Sequence, residues 1–402
     1  MFSRRQTLAL LGATTLTGVL PAGVAFASPP TDRRLVIIIL RGGLDGLAAV
    51  PPYGDPAYSS QRAGLALGEP GSNEGALDLD GRFGMHPALE ALHAMFGERE
   101  LTVFHAVATP YRRRSHFDAQ DLLENGTSTP SGARDGWLNR ALSLYEGGEP
   151  RLGLAVGNTV PLLLRGDTPI GSFAPRHLAQ AGDGFLDRMS ALYRSDAVLG
   201  PPFVEAIRAQ EMNDEILGRN MGGKGKRVRR ADNLPALARD VGKLLLHPDG
   251  ARIAVLGVGG WDTHANQGVL TGRLAQSLKG LNDGMQALKE NLAPVWRETA
   301  ILVVSEFGRT VQPNGTNGTD HGTAGIAFLA GGGLDGGRVV ADWPGLSADR
   351  LYDGRDLAPT MDLRSIEKAV LTDHLGLPAR AVDDRVLPGS AGADPLRDIF
   401  RV

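Results

Sequence analysis

Six consecutive apolar residues, Leu35-Val36-Ile37-Ile38-Ile39-Leu40, bounded by Arg34 and Gly42, constrain the fold of this chain more than any other feature. A strand with no polar position must be covered on both faces, which is the condition met in a parallel sheet with helices on each side. Comparable runs recur at Leu101–Val107, Ile253–Val258, Ala300–Val304 and Gly325–Ala330. Between them, helical spacing predicts helices over His86–Met95, Ser115–Glu124, Leu234–Leu246 and Leu270–Leu292, the last interrupted by Gly284. In the less regular middle, Leu154–Val156 and Pro161–Leu164 read as short strands, and Phe185–Tyr193 and Pro202–Leu217 as helices. Alternation of strand and helix predicts an α/β fold, a three-layer α/β/α sandwich with a largely parallel central sheet.

The N-terminus reads as an export signal. Ser3-Arg4-Arg5-Gln6-Thr7-Leu8 opens a twin-arginine pattern, a mild apolar stretch runs from Ala9 to Leu20, and Ala25-Phe26-Ala27 supplies the cleavage site. That stretch is too short and too rich in Gly, Ala and Thr for a stable membrane span. The expectation is a signal over residues 1–27, a single domain over 28–402, passage through the twin-arginine export machinery, and a periplasmic or secreted product. Cysteine is absent from all 402 residues, so any metal must be held by nitrogen and oxygen. The net charge of −3 argues against a nucleic-acid partner. The basic run Lys224–Arg230 reads as a solvated loop.

Acidic and histidine residues cluster just past the apolar runs. Gly260-Trp261-Asp262-Thr263-His264 follows one run and Ser305-Glu306-Phe307-Gly308-Arg309 another; Thr319-Asp320-His321-Gly322 comes shortly after. In open α/β sheets ligands bind beyond the carboxyl ends of the strands, and carboxylates and imidazoles delivered there by separate strands suit a divalent cation. Asp262 and His264, two apart, point to one side of an extended segment; the competing reading makes Asp262 a helix cap. Glu306 is a ligand or the partner of Arg309. Asp45, in Gly42-Gly43-Leu44-Asp45-Gly46, is a ligand or a turn former. In Arg112-Arg113-Arg114-Ser115-His116, the Ser115 hydroxyl stands at a helix start. The arginines, Arg114 among them, could clamp an anion, and His116 could act as base or ligand. The alternative makes Ser115 a cap and the arginines surface residues.

Taken in order, these segments resemble the alkaline phosphatase-like superfamily, and more closely a family within it known as a domain of unknown function, DUF1501. The likeness runs from about Arg34 to Leu377 through Leu40–Gly46, Arg114–Asp118, Gly260–His264, Ser305–Thr310 and Asp320–Gly322. The resemblance implies an alkaline phosphatase-like fold, a divalent metal ion (zinc, manganese or calcium) and a small-molecule or polymer-borne ester substrate. It implies Asp45, Asp262, His264, Glu306, Asp320 and His321 around the metal, and Ser115 as nucleophile with His116 and Arg114 beside it. One departure stands out. Where the superfamily pattern has an Asp-His pair, this chain has Glu306-Phe307, so no histidine follows the acid. The resemblance therefore implies a metal-dependent hydrolase of a phosphate or sulfate ester. The alternative is a catalytically degenerate member serving as a binding or assembly protein in the cell envelope.

Overall fold

A computed structural model of the chain describes residues 31–145, 152–174 and 234–401, with isolated positions between 175 and 233. The expected signal segment and the basic run lie outside these residues, and the helices expected over 185–193 and 202–217 fall largely outside them. Among the described residues no helix is long and apolar enough to cross a membrane.

Among the described residues there are eleven strands: β1 Arg34–Leu40, β2 Leu77–Asp78, β3 Gly84–Met85, β4 Leu101–Ala108, β5 Gly153–Val156, β6 Gly171–Phe173, β7 Ile253–Val258, β8 Thr299–Val304, β9 Gly325–Ala330, β10 Arg338–Val340 and β11 Met361–Asp362. β2 and β3 form a separate pair. The other nine build one sheet in the order β10-β4-β9-β8-β1-β7-β5-β6, with β11 also joining β4. β9 runs antiparallel to both its neighbours, β4 and β8, and every other pairing in this sheet is parallel.

Alternation along the strands divides the core in two. Val36, Ile38 and Leu40 join Ala254, Leu256, Ile301, Val303 and Phe328 on one face, whereas Leu35, Ile37 and Ile39 join Ile253, Val255, Leu302, Val304 and Leu329 on the other. Helices α1 Gly46–Ala49, α2 Tyr58–Arg62, α3 Glu90–Gly97, α4 His116–Asn125, α5 Trp137–Leu142, α6 Leu234–Leu246, α7 Arg273–Asn291 and α8 Leu363–Ala369 complete the fold. α3, α6 and α7 cover the first face; α5, α8 and the inner side of α4 cover the second. The α/β/α layering and the largely parallel sheet are thus present. Each fully buried aliphatic side chain contributes about 1.5–3 kcal/mol, so the sheet needs both helical layers.

Particular elements differ from expectation. Leu162–Leu164 is a turn of 3-10 helix, not a strand, because Pro161 fixes its own φ and supplies no N–H to a ladder. α7 begins at Arg273 rather than Leu270. Gly284, inside α7, lets that helix meet α6: a Cβ there would lie 2.5 Å from Leu234 Cγ.

Glu367, in α8, is buried. Burial, with nearby Asp362 adding and Arg364 opposing, pushes its carboxyl from the ordinary 4.5 up to about 8. A value raised in the folded state favours folding below the unfolded value, and that contribution is lost as pH rises through the folded one. Glu367→Gln should therefore gain stability over the parent as pH rises from 4.5 to about 8. Thermal melts across that window check this, and a difference independent of pH would refute it.

Candidate metal centre

β1, β7 and β8 end level with one another, Leu40 opposite Val258 and Ile39 opposite Val304. Because β9 is antiparallel, its preceding loop arrives at the same edge at which those strands leave. Asp320 and His321 are therefore delivered beside Asp262 and His264. Gly42 closes this edge: its φ is +125°, a Cβ would lie 2.4 Å from Asp262 N, and its N–H donates to Glu306 Oε1 at 2.8 Å. No L side chain fits that conformation or that space.

Three imidazoles meet here, and each is fixed through Nδ1 by a group that can only accept. His116 Nδ1 donates to Glu306 Oε1 at 2.9 Å, His264 Nδ1 to Asp320 Oδ1 at 3.0 Å, and His321 Nδ1 to the carbonyl of Arg114 at 3.0 Å. Carboxylate and carbonyl oxygens hold no proton to give, so in the neutral rings each Nδ1 carries the hydrogen and each Nε2 presents a lone pair. Acceptors behind histidines in this way are the outer shell that orients metal ligands. Phe307 packs beside the rings, its centroid 4.9 Å from both His116 and His321.

The inward nitrogens converge. His264 Nε2 lies 2.9 Å from His321 Nε2, and Asp262 Oδ1 lies 3.0 and 3.3 Å from the two. His116, Asp262 and His321 each offer a donor atom within 4.8 Å of the others. His116 Nε2 stands 3.6 Å from Asp262 Oδ2 and is buried without a hydrogen-bond partner. Three lone-pair atoms about 3 Å apart repel unless a cation sits among them. Their spacing is close to the roughly 3.3 Å separating donors held tetrahedrally at about 2.0–2.1 Å from zinc. The donor set fits a divalent ion.

Fixed charge shapes the titration of these groups. Burial pushes the Asp262 carboxyl up, but the bond and charge of Arg309, with His264 and His321, outweigh it and hold it below the ordinary range. Burial likewise opposes Glu306, yet donors from His116, Gln120 and Gly42 leave its carboxyl lowered. The Glu306 bond raises the His116 imidazole against burial. His321 is lowered by burial, with the charges of His116 and Arg309 adding.

Several residues stand elsewhere than sequence reasoning placed them. Asp45 does not face the imidazoles: its Oδ2 takes Arg62 Nη2 and Gln267 Nε2, both at 2.6 Å, and its Oδ1 caps α1 at Ala48 N. Glu306 and Asp320 stand behind histidines rather than among the converging atoms. Arg309 pairs with Asp262 at 2.7 Å, not with Glu306. Asp262 is no helix cap; Gly272 precedes α7. Arg114 is no free anion clamp, since its guanidinium is spent on Asp353 Oδ2 at 2.8 Å and Asp356 Oδ2 at 2.6 Å. Arg112 is turned onto the carbonyls of Thr109 and Tyr111. Arg114 adopts φ +63°, a conformation costing a non-glycine residue on the order of 1 kcal/mol, and its carbonyl holds His321. Ser115 occupies the N-cap position of α4 but makes no side-chain capping bond. Asp118 accepts from Tyr111 Oη instead of closing a capping box.

Sequence reasoning missed Arg62 and Gln267. Arg62, 0% exposed, lies 2.6 Å from Asp45, and Gln267 links Asp45 to the hydroxyls of Thr263 and Thr319 at 2.8 Å each. Removing one partner of such a buried pair costs about 3–5 kcal/mol.

A family model described as "Protein of unknown function (DUF1501)" matches residues 102–388. No curated protein matches the sequence. Among solved structures the chain is similar to the C-terminal periplasmic domain of EptC from Escherichia coli. The identity is 12%, the cover 90% of this chain and 89% of that one, and the TM-score 0.39. It is also similar to inactive murine ectonucleotide pyrophosphatase/phosphodiesterase 5 in complex with AMP, at 8% identity, 87% and 96% cover and TM-score 0.40. A protein in the alkaline phosphatase superfamily from Vibrio parahaemolyticus matches at 12% identity, 77% and 62% cover and TM-score 0.36.

Because Glu306 raises His116, Glu306→Gln should lower the imidazole titration. A raised histidine stabilises the fold below its unfolded value of 6.5 and loses that contribution as pH rises through the folded one. The variant should therefore lose stability selectively on the acid side. NMR titration of the metal-free protein and acid-side melts read both effects; an unchanged His116 titration would contradict the assignment.

Proposed function

This chain belongs to the DUF1501 family, and from that premise we propose that it is an exported, metal-dependent hydrolase of a phosphate or sulfate ester, alkaline phosphatase-like in its chemistry. The observation that carries this reading is the convergence of Asp262 Oδ1, His264 Nε2 and His321 Nε2 with every imidazole anchored from behind. Asp262, His264 and His321 would hold a divalent ion. Three protein donors and an open position is the pattern of catalytic rather than structural sites. When bound, the ion supplies Lewis acidity toward an ester oxygen.

Ser115 is our nucleophile. Its hydroxyl is not spent on capping, it starts a ten-residue helix whose N-terminus favours negative charge, and it lies between Arg114, whose carbonyl orients His321, and His116. His116, held by Glu306 with Nε2 unpartnered, takes the Ser115 proton as the Oγ–P or Oγ–S bond forms and the bond to the ester oxygen breaks, and passes that proton to the departing alcohol. A water, giving its proton to His116, then attacks the enzyme-bound phosphoryl or sulfuryl group, and Ser115 Oγ departs with the proton His116 returns. Glu306 and Asp320, proposed from the sequence as ligands, serve here as positioning residues behind His116 and His264.

The twin-arginine pattern at Arg4-Arg5 and the Ala25-Phe26-Ala27 site support export to the periplasm or beyond. A second reading, a binding protein without turnover, is favoured by the commitment of Asp45 to Arg62. Phosphate and sulfate esters assayed with zinc, manganese or calcium decide between them. Hydrolysis should require added metal, fall at least about a hundredfold in Ser115→Ala, and fall comparably in His264→Gln. Metal binding with no turnover of any ester would sink the enzyme reading and leave the binding one. N-terminal sequencing of exported protein should find Ser28; retention of residues 1–27 on a cytoplasmic product would refute export.

A further inference from the structure

We propose that this site holds a single imidazole-preferring transition ion, and that the buried guanidinium of Arg309 is its permanent companion cation, closing the place to a second ion. The inference rests on the metal reading above and concerns which charges the site has already neutralised.

Arg309 is buried, and each of its three nitrogens is directed at a fixed acceptor. Nη1 reaches Asp262 Oδ1 at 2.7 Å and the Gly42 carbonyl at 3.2 Å, Nε reaches Thr319 Oγ1 at 3.1 Å, and Nη2 reaches the Thr319 carbonyl. The same Asp262 oxygen faces His264 and His321, so guanidinium and metal share one carboxylate. Of the other carboxylates at this edge, Asp45 and Glu306 are already matched, and Asp320 Oδ1 answers His264 and Asn314. Asp45 answers Arg62, Gln267 and Ala48 N. Glu306 answers Gly42 N, His116, Gln120 and Ser305 Oγ. Phe307 fills the space beside His116 and His321 with a ring that has no donor atom. A second divalent ion would have to displace a buried guanidinium bonded through all three of its nitrogens and leave it unpaired, a costly exchange.

The donor chemistry narrows the ion itself. Two imidazole nitrogens and one carboxylate oxygen, with a third imidazole alongside, suit zinc and neighbouring first-row ions. Calcium requires six to eight oxygens and magnesium a near-octahedral oxygen shell. Of the ions implied by resemblance, calcium is the one this site does not match.

The test is native mass spectrometry and calorimetric titration of the full metal-free chain with zinc, then with calcium and magnesium. Uptake should plateau at one zinc per chain, with calcium and magnesium at least about a hundredfold weaker. Two zinc ions per chain, or calcium bound as tightly as zinc, would overturn the inference while leaving a metal site in place; no zinc at all would remove the metal reading itself. His264→Gln should weaken zinc at least about tenfold, whereas Asp45→Asn should leave it within about threefold. Equal losses would return Asp45 to the donor set and defeat the proposal. Arg309→Met should admit a second zinc that Arg309→Lys excludes, and a plateau at one in both would overturn the role given to Arg309. The wild-type plateau needs no variant to fold.

Discussion

The site depends first on the guanidinium of Arg309. From the turn after β8 it reaches the loop after β1 through Gly42, the loop after β7 through Asp262, and the loop before β9 through Thr319. Four segments, brought to one edge by the sheet, are thereby tied to a single planar group whose fork geometry leaves little freedom. Without that positive charge Asp262 would stand among lone pairs with nothing holding its orientation. A second buried guanidinium, Arg62, does the same for Asp45, and Gln267 joins the two networks through Thr319.

Topology makes this economy available. If β9 ran parallel, the loop carrying Asp320 and His321 would emerge at the opposite edge of the sheet. One reversed strand, flanked by β4 and β8, places a fourth loop among those that follow β1, β7 and β8. The hydrogen bonds behind the imidazoles come from that convergence as well: Glu306 follows β8, Asp320 precedes β9, and the Arg114 carbonyl lies between β4 and α4. Each histidine is oriented by an element other than its own.

Much of this was legible in the chain. Strands apolar on both faces can be satisfied only between two helical layers, which made the α/β/α arrangement readable from Leu35–Leu40 and its counterparts. Asp262 and His264 were readable as candidates from their place directly beyond an apolar run, and His321 only from the order in which its segment follows theirs. What was not legible is tertiary in origin. Whether Glu306 ligates or orients depends on which atom of His116 faces it, and no local pattern records that. Arg309 stands three residues from Glu306, yet the turn at Gly308 sends it to Asp262, 47 positions away. Arg62 ends a five-residue helix with nothing in its surroundings to mark a buried charge. The apolar run at Leu162–Leu164 read as a strand because hydrophobicity alone does not register the effect of Pro161, and β10 and β11, three and two residues long, are too short to show a period.

The level endings of β1, β7 and β8 also bear on when the site comes into being. β1 has no sequence-local partner; it pairs with residues more than two hundred positions downstream, and β9 closes the sheet between β8 and β4. Contacts of such separation form slowly, because loop-closure entropy must be met before they reward the chain. The convergence of these side chains is accordingly a late product of folding. Under the proposed twin-arginine export of the folded chain, the compartment of synthesis, rather than the compartment of residence, would be the place whose metal supply decides which ion enters the proposed site.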